Sequence, residues 1–231
     1  MQPYFLPYIG YFQLIAAVDL FVIYDNIEYT KKGWINRNRF LLNGQAETFT
    51  VSIQAGSDFL HVRDRRVSPA FDRRRLLARF EHAYRRAPYF DRAFDLVRRS
   101  ILSSKDNLFD YISFSIELVC QYLDLRTTLI RSSDIDVDHE RKGQEKVLSI
   151  CRQSGAAMYI NAIGGRGLYA SDAFLAEGIE LRFLKSDPLE YKQFSNQFVP
   201  SLSIVDVMMF NSPDEISGYL VNGYELVRGD A

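Results

Sequence analysis

Asp25 stands directly after Leu20 to Tyr24 (L-F-V-I-Y), a continuous apolar run of strand length. A carboxylate at a strand exit is where open α/β sheets put their ligands. Upstream, Gln2 to Tyr11 reads Q-P-Y-F-L-P-Y-I-G-Y. Pro3 and Pro7 each remove a backbone donor and push the preceding residue out of the helical region, so this stretch is a loop opening a helix. Gly10 permits close backbone approach or a turn at positive φ. Gln2, Tyr4 and Tyr11 thereby become polar neighbours of the Asp25 strand. Downstream, K-K-G-W-I-N-R-N-R (Lys31 to Arg39) supplies Lys32, Asn36, Arg37 and Asn38, whose planar, paired donors suit carboxylates, phosphates or sugar hydroxyls. Trp34 or Tyr29 can stack on a ring. The competing readings are an aromatic plug over the core for the opening loop and an exposed turn for the basic segment.

Further groups come from later strand ends. Ser132 and Ser133 follow T-T-L-I-R, and Asn161, Gly164, Gly165 and Tyr169 follow or interrupt M-Y-I-N-A-I-G-G-R-G-L-Y. A G-G-x-G turn leading into a helix points backbone N–H groups at an anion, and the helix dipole favours negative charge there. Asp206, in the apolar stretch Leu202 to Phe210, is either a cap or buried partner of a basic group, or a site carboxylate. His61, His82 and His139 are isolated; no metal-ligand spacing and no nucleophile elbow occurs.

Elements that position these residues can be read in order. Arg39 to Leu42 and Glu47 to Ile53 flank Asn43-Gly44, the signature of a hairpin, expected at a sheet edge. Residues 68–123 have helical period, broken by Pro88, with helices at Phe90 to Leu102 and Asn107 to Tyr122. Thr127 to Arg131, Met158 to Ile163 and Ile179 to Leu184 read as strands, separated by helices at Lys142 to Ser154 and Tyr169 to Glu177. Short helices at Ser203 to Phe210 and Pro213 to Tyr219 close the chain. Strands alternating with helices imply parallel pairing. The expectation is one α/β domain over 1–231, with a mainly parallel sheet of Rossmann-like or nucleotidylyltransferase-like type, an edge hairpin and a helical insertion over 68–123.

With 28 basic and 29 acidic residues in 231, the net charge of −1 gives no general attraction to nucleic acid or anionic membrane. Arginine is nevertheless dense between Arg63 and Arg99, mostly as a solvated helix face. Two cysteines, Cys120 and Cys151, lie inside apolar helical patterns, fitting buried thiols in a reducing compartment. No stretch reaches the roughly 18 apolar residues of a membrane span. The opening residues lack the regions of a signal peptide, so a cytoplasmic location is expected.

The opening loop, with Asp19, Phe21, Asp25 and Asn36-Arg37-Asn38, resembles the WbqC-like family of bacterial proteins, associated with O-antigen and other surface-polysaccharide loci. The likeness continues through A-Y-R-R-A-P-Y-F (Ala83 to Phe90), Y-I-N-A-I-G-G (Tyr159 to Gly165) and S-I-V-D (Ser203 to Asp206). It implies transfer of a glycyl or similar acyl group to a nucleotide-linked amino sugar. Under that implication a nucleotide (ATP) or nucleotide-activated donor is used. Asp25 then serves as base or orienter beside Tyr11 and Asn36, and Gln2, Tyr4 and the glycine turn hold the nucleotide. Pro7 to Tyr11 also resembles the Pro-x-His-x-Gly-His turn of nucleotidylyltransferases, with Ile130 to Ile135 like their Ser-Ser turn. Tyr8 and Tyr11 replace both histidines; a phenol donates to phosphate but carries no proton-switched positive charge near neutrality. Nucleotidylyl transfer, or nucleotide-sugar binding without catalysis, are the alternatives.

Overall fold

The computed structural model describes residues 1–194 and 197–229. The opening loop leads into α1 (Ile9–Ala16), buried at every position except its last. Next come β1 (Leu20–Ile23), then β2 (Arg37–Leu42) and β3 (Gln45–Thr50). The β2–β3 turn is Asn43-Gly44, with φ of 51° and 76°, the pair of positive values that a tight two-residue hairpin turn requires. Three helices follow: α2 (Arg73–Tyr84), α3 (Phe90–Ile101) and α4 (Leu108–Tyr122). Asp72 and Asn107 start α2 and α4 by accepting the N–H of Arg75 and Asp110, as short polar side chains at that position do. On α3 the buried face is Ala93, Leu96, Val97 and Ile101, leaving Arg92, Arg98 and Arg99 in solvent.

The second half contains β4 (Thr128–Arg131), α5 (Gly143–Gln153), β5 (Met158–Ala162), α6 (Ser171–Ala176) and β6 (Glu180–Ser186). Gly178 ends the α6 turn at φ 71°. Then come α7 (Ile204–Phe210), α8 (Pro213–Asn222) and β7 (Tyr224–Arg228). β7 is a strand that the sequence did not announce, because it is short and half exposed, with no clean alternation.

The expected single, mainly parallel sheet does not form among the described residues. There are three small sheets instead: β1 with β4, parallel; β2 with β3, antiparallel; and β5-β6-β7, with β5 and β6 parallel and β7 antiparallel. The hairpin therefore forms its own sheet rather than an edge. The parallel pairings exist, but β1 and β5 do not bond to one another. A cavity of about 560 Å³ runs between them, lined by residues of both strands and of α1 and α5. Met1 occupies one rung beside β1: its N donates to the Val22 carbonyl at 2.7 Å, and Tyr24 N donates to the Met1 carbonyl at 2.8 Å.

One large apolar core joins the opening loop, the hairpin, α2–α4 and α7 through stacked and edge-on rings of Phe5, Phe40, Phe49, Phe80, Tyr84 and Tyr111. A second cluster gathers Val147, Leu148, Cys151, Phe174, Leu181 and Phe183 around α5, α6 and β6. Burial pushes the Cys120 and Cys151 thiols up to about 12 and about 11, values of unreactive core thiols. None of the helices among the described residues is long and apolar enough to cross a membrane.

Candidate functional site

β1 and β4 run parallel in register, Ile23 opposite Arg131, so their exits place Asp25 against Ser132 and Ser133. Asp25 is only 2% exposed. Its Oδ1 accepts from Ser132 Oγ at 2.9 Å and Ser133 N at 3.0 Å, and its Oδ2 from Ser133 Oγ at 2.7 Å. Arg63 Nη1 lies 3.9 Å from Oδ2, held there because Arg63 N donates to the Asp25 carbonyl at 3.0 Å. Burial pushes the Asp25 carboxyl up, but the donors of Ser133 and Ser132 together outweigh it and hold it below the usual carboxylate range. Both oxygens are taken. Asp25 is thus held ionised, and its bonds orient the β4 exit.

Asn26, also buried, extends the cluster. Its Oδ1 lies 2.6 Å from Ser132 Oγ, whose single hydroxyl proton it shares with Asp25, and accepts from Lys146 Nζ at 3.2 Å; its Nδ2 lies 3.0 Å from His139 Nδ1. Since Lys146 can only donate, the amide orientation is fixed and Nδ2 faces the imidazole as donor. His139 then carries its proton on Nε2. Lys146 Nζ has no carboxylate within ion-pair distance among the described residues, only Asn26, the His139 carbonyl at 3.5 Å and the Tyr24 ring, whose centre is 5.5 Å away. Burial lowers its pKa, and the charge of Asp25 opposes that. Lys146, Arg63 and the His139 N–H outnumber the one carboxylate at their centre, so the cluster suits an anion.

Tyr24, whose ring faces Lys146 Nζ, is also near enough to Tyr169 of the glycine-turn group to feel its charge. Burial raises its phenol above the usual range, and the neighbouring Tyr169 adds to the effect. Tyr159 OH donates to Tyr169 OH at 3.3 Å and receives Asn161 Nδ2 at 3.1 Å. The glycine turn forms a short 3₁₀ helix, Ile163–Leu168, in which Gly164 and Gly165 keep ordinary negative φ. A Cβ on Gly165 would come within 3.1 Å of Asn161 Nδ2, whereas Gly164 is open.

The opening loop is held by many bonds. Leu6 adopts φ 46°, strained for leucine, and is pinned by Asn38 Nδ2 (2.9 Å) and Ser203 Oγ (2.7 Å) on its carbonyl. Tyr4 OH donates to Gln2 Oε1 at 3.0 Å, both side chains partly exposed, and buried Tyr11 donates to the Gln2 carbonyl at 3.0 Å. Tyr11 is therefore a core phenol, raised well above its usual range by burial. Gly10 serves close approach, not positive φ: a Cβ there would fall 2.2 Å from Tyr8 Oη, which donates to Ser186 Oγ at 3.0 Å. Gly10→Ala is expected to leave the melting temperature within about 2 °C, because the exposed Tyr8 ring can swing away and alanine favours the helix. Altered Tyr8 fluorescence or ring resonances would report the displacement.

The basic segment faces inward at two of its four predicted residues. Asn36 accepts from Tyr29 OH at 2.8 Å and donates to the Val51 carbonyl at 2.8 Å. Asn38 bonds the Leu6 carbonyl and the Arg39 N–H. Arg37 closes its own turn through the Gly33 and Lys32 carbonyls, and Lys32 is exposed. Trp34 stands 44% exposed with the Arg37 and Arg39 guanidinium groups 5.5 and 5.7 Å from its ring centre. Asp206 lies elsewhere, wholly buried, accepting from Tyr84 OH (2.8 Å), Tyr191 OH (2.6 Å) and Gln193 Nε2 (2.7 Å). The structure thus brings Asp25, Ser132 and Ser133 into direct contact, joins Asn161 and Tyr169 to one another through Tyr159, and sets Asn36, Asn38 and Asp206 to tying elements together. Asn26, Arg63 and Lys146 escaped the sequence reading. Lys146 precedes an apolar helical run where a lysine ordinarily faces water, and Arg63 is one of the twelve arginines between Arg63 and Arg99.

The model of the WbqC-like protein family matches residues 2–218. An uncharacterized protein of Mycobacterium tuberculosis (strain ATCC 25618 / H37Rv), Rv1507c, is 28% identical over 223 residues, which cover 95% of each chain. No solved structure matches.

Proposed function

On the premise that the chain belongs to the WbqC-like protein family, we propose that it transfers an aminoacyl, glycyl-like, or other acyl group to the amine of a nucleotide-linked amino sugar in surface-polysaccharide biosynthesis. The single observation that carries the reading is the cationic cluster at the β1 and β4 exits, where Lys146 and Arg63 have between them the one Asp25 carboxylate, itself bonded by Ser132 and Ser133. Lys146, Arg63 and the Nε2–H of His139 hold the phosphates of the nucleotide, with Ser133 kept in place by Asp25. Gln2, Tyr4, Asn161, Gly164, Gly165 and Tyr169 border the same ligand, and the exposed Trp34 with Lys32 and Arg37 offers a stacking face for ring or donor. The activated donor, ATP-derived or otherwise nucleotide-linked, loses its leaving group as the amide C–N bond forms, and the amine proton departs with it.

Incubating the protein with activated acyl donors and a nucleoside-diphosphate amino sugar should give the N-acylated sugar nucleotide by mass spectrometry. Lys146→Met, which keeps the length of the side chain, is expected to lower turnover at least about 100-fold, the loss of one charge-assisted phosphate contact. Absence of product from every donor, with no binding of the sugar nucleotide, removes the reading. Binding without turnover is the second reading, favoured by the three donors on the Asp25 carboxylate, which hold it ionised and make it a weaker base. Product formation decides between the two. Nucleotidylyl transfer is less well supported, since the Tyr11 hydroxyl is spent on the Gln2 carbonyl.

A further inference from the structure

Among the described residues β1 and β5 each keep one edge without a strand partner, and those edges face the same cavity. Along a strand, backbone groups point alternately to opposite edges. Thr128 N donates to the Asp19 carbonyl, so Asp19, Phe21 and Ile23 face β4, and Leu20 and Val22 face the cavity. Glu180 N donates to the Ala157 carbonyl, so Ala157, Tyr159 and Asn161 face β6, and Met158 and Ile160 face the cavity from the other side. The cavity is therefore a slot bordered by two ladders of N–H and C=O groups. Its walls are apolar side chains such as Leu14 and Val18 of α1 and Val147 and Ile150 of α5. Backbone donors and acceptors on two edges with apolar faces above and below are the surroundings of a central parallel strand.

Met1 already stands on one rung of this slot. The bond from its N to the Val22 carbonyl and the bond from Tyr24 N to its carbonyl have the pattern of parallel pairing. Burial pushes the Met1 amine down to about 5, so this rung disfavours a charge and suits a neutral amide.

We propose that the slot is a strand site: an extended apolar segment joined to the amine of Met1 and running parallel to β1 fits between β1 and β5 and unites their sheets. Its residue two positions before Met1 donates to the Leu20 carbonyl and accepts from Val22 N, and the residue between them pairs with Met158 and Ile160. The strand sits about 4.8 Å from each neighbour. The united sheet runs β4-β1-strand-β5-β6-β7. Counted along the chain with the new strand first and the separate β2–β3 hairpin left out, this is the order 3-2-1-4-5-6 of doubly wound dinucleotide-binding sheets, antiparallel only at its last member. The Gln2–Gly10 loop becomes the turn leaving the central strand, beside Asp25, at the point where such sheets reverse their winding. The inference rests on backbone geometry and stands whether or not the chain transfers acyl groups.

The test places four residues before Met1 of the full chain. Ile-Val-Ile-Val is compared with Gly-Ser-Gly-Ser and with Ile-Val-Pro-Val, in which proline removes the donor to Leu20. The apolar extension is expected to raise the melting temperature by at least about 5 °C and to slow hydrogen exchange at the Val22 and Ile160 amides at least about 10-fold. Neither control should do so. Equal melting temperatures and exchange for all three extensions overturn the proposal. So does a gain that survives the proline, which would make the slot an apolar pocket without strand pairing.

Discussion

Replacing Asp25 by alanine is expected to cost about 3 kcal/mol of stability at neutral pH and to abolish nucleotide-sugar binding. Ser132 Oγ, Ser133 N and Ser133 Oγ all donate to the carboxylate; removing it leaves Ser132 Oγ only Asn26 Oδ1 and takes this acceptor from both donors of Ser133. The same change leaves Lys146 and Arg63 with no negative charge between them. The β4 exit should loosen, and its amides from Ser132 to Asp134 should lose protection against exchange. Asp25→Asn separates charge from shape. Because the folded carboxyl is held below its unfolded value, its stabilisation is present above the usual carboxylate range and lost as pH falls through the depressed value. The gap between wild type and Asp25→Asn in denaturant melts should thus be widest at neutral pH and close on acidification.

Asp206→Ala should be the most damaging change away from the cluster, at about 3 to 5 kcal/mol, or roughly 10 °C in melting temperature for a chain of this size. Asp206 takes donors from three directions: Tyr84 on α2, and Tyr191 and Gln193 before α7. Tyr84 in turn accepts the Leu41 N–H of the hairpin at 2.8 Å. Without the carboxylate, the two phenols lose this acceptor, Gln193 Nε2 keeps only the Val199 carbonyl, and α2, β2 and the 191–193 segment lose their common tie. Its pH dependence has the opposite sign to that of Asp25. Burial, only partly offset by the three donors, raises the folded carboxyl above its unfolded value. The protonated form is therefore the more stabilising one, and that advantage is fully present below the usual carboxylate value and lost as pH rises through the raised one. Asp206→Asn, unable to titrate, should narrow its deficit relative to wild type as pH rises across that window.

Local structure was largely legible in the sequence because its signals are local. Asn43-Gly44 fixed the hairpin through two positive φ values, Pro88 separated α2 from α3, and Gly178 closed α6. The family was legible for another reason: motifs from Gln2 to Asp206 lie within the matched span. Sheet architecture was not legible. Apolar runs at Leu20–Ile23 and Met158–Ala162 declare strands but not whether the two touch, and here a cavity separates them. Side-chain roles were legible only where the strand exit itself supplied the chemistry, as at Asp25 with Ser132 and Ser133. Asn36, Asn38 and Asp206 were chosen as polar residues among apolar ones, a pattern that a buried tie between elements produces as readily as a ligand contact. Lys146 and Asn26 are brought together by packing of α5 onto the β1 exit, across a separation of 120 residues that no local pattern encodes.

The most direct measurement is a titration of the wild-type protein with a nucleoside-diphosphate amino sugar, followed by thermal melting and by amide resonances. Saturable binding is predicted, with about 2.7 kcal/mol of added stability at 100 times the dissociation constant. The resonances that move should be those of Ser133, Lys146 and Gly165, and Lys146→Met should abolish the shift. A melting temperature unmoved by any nucleoside-diphosphate sugar at millimolar concentration, or binding that Lys146→Met leaves intact, contradicts the account.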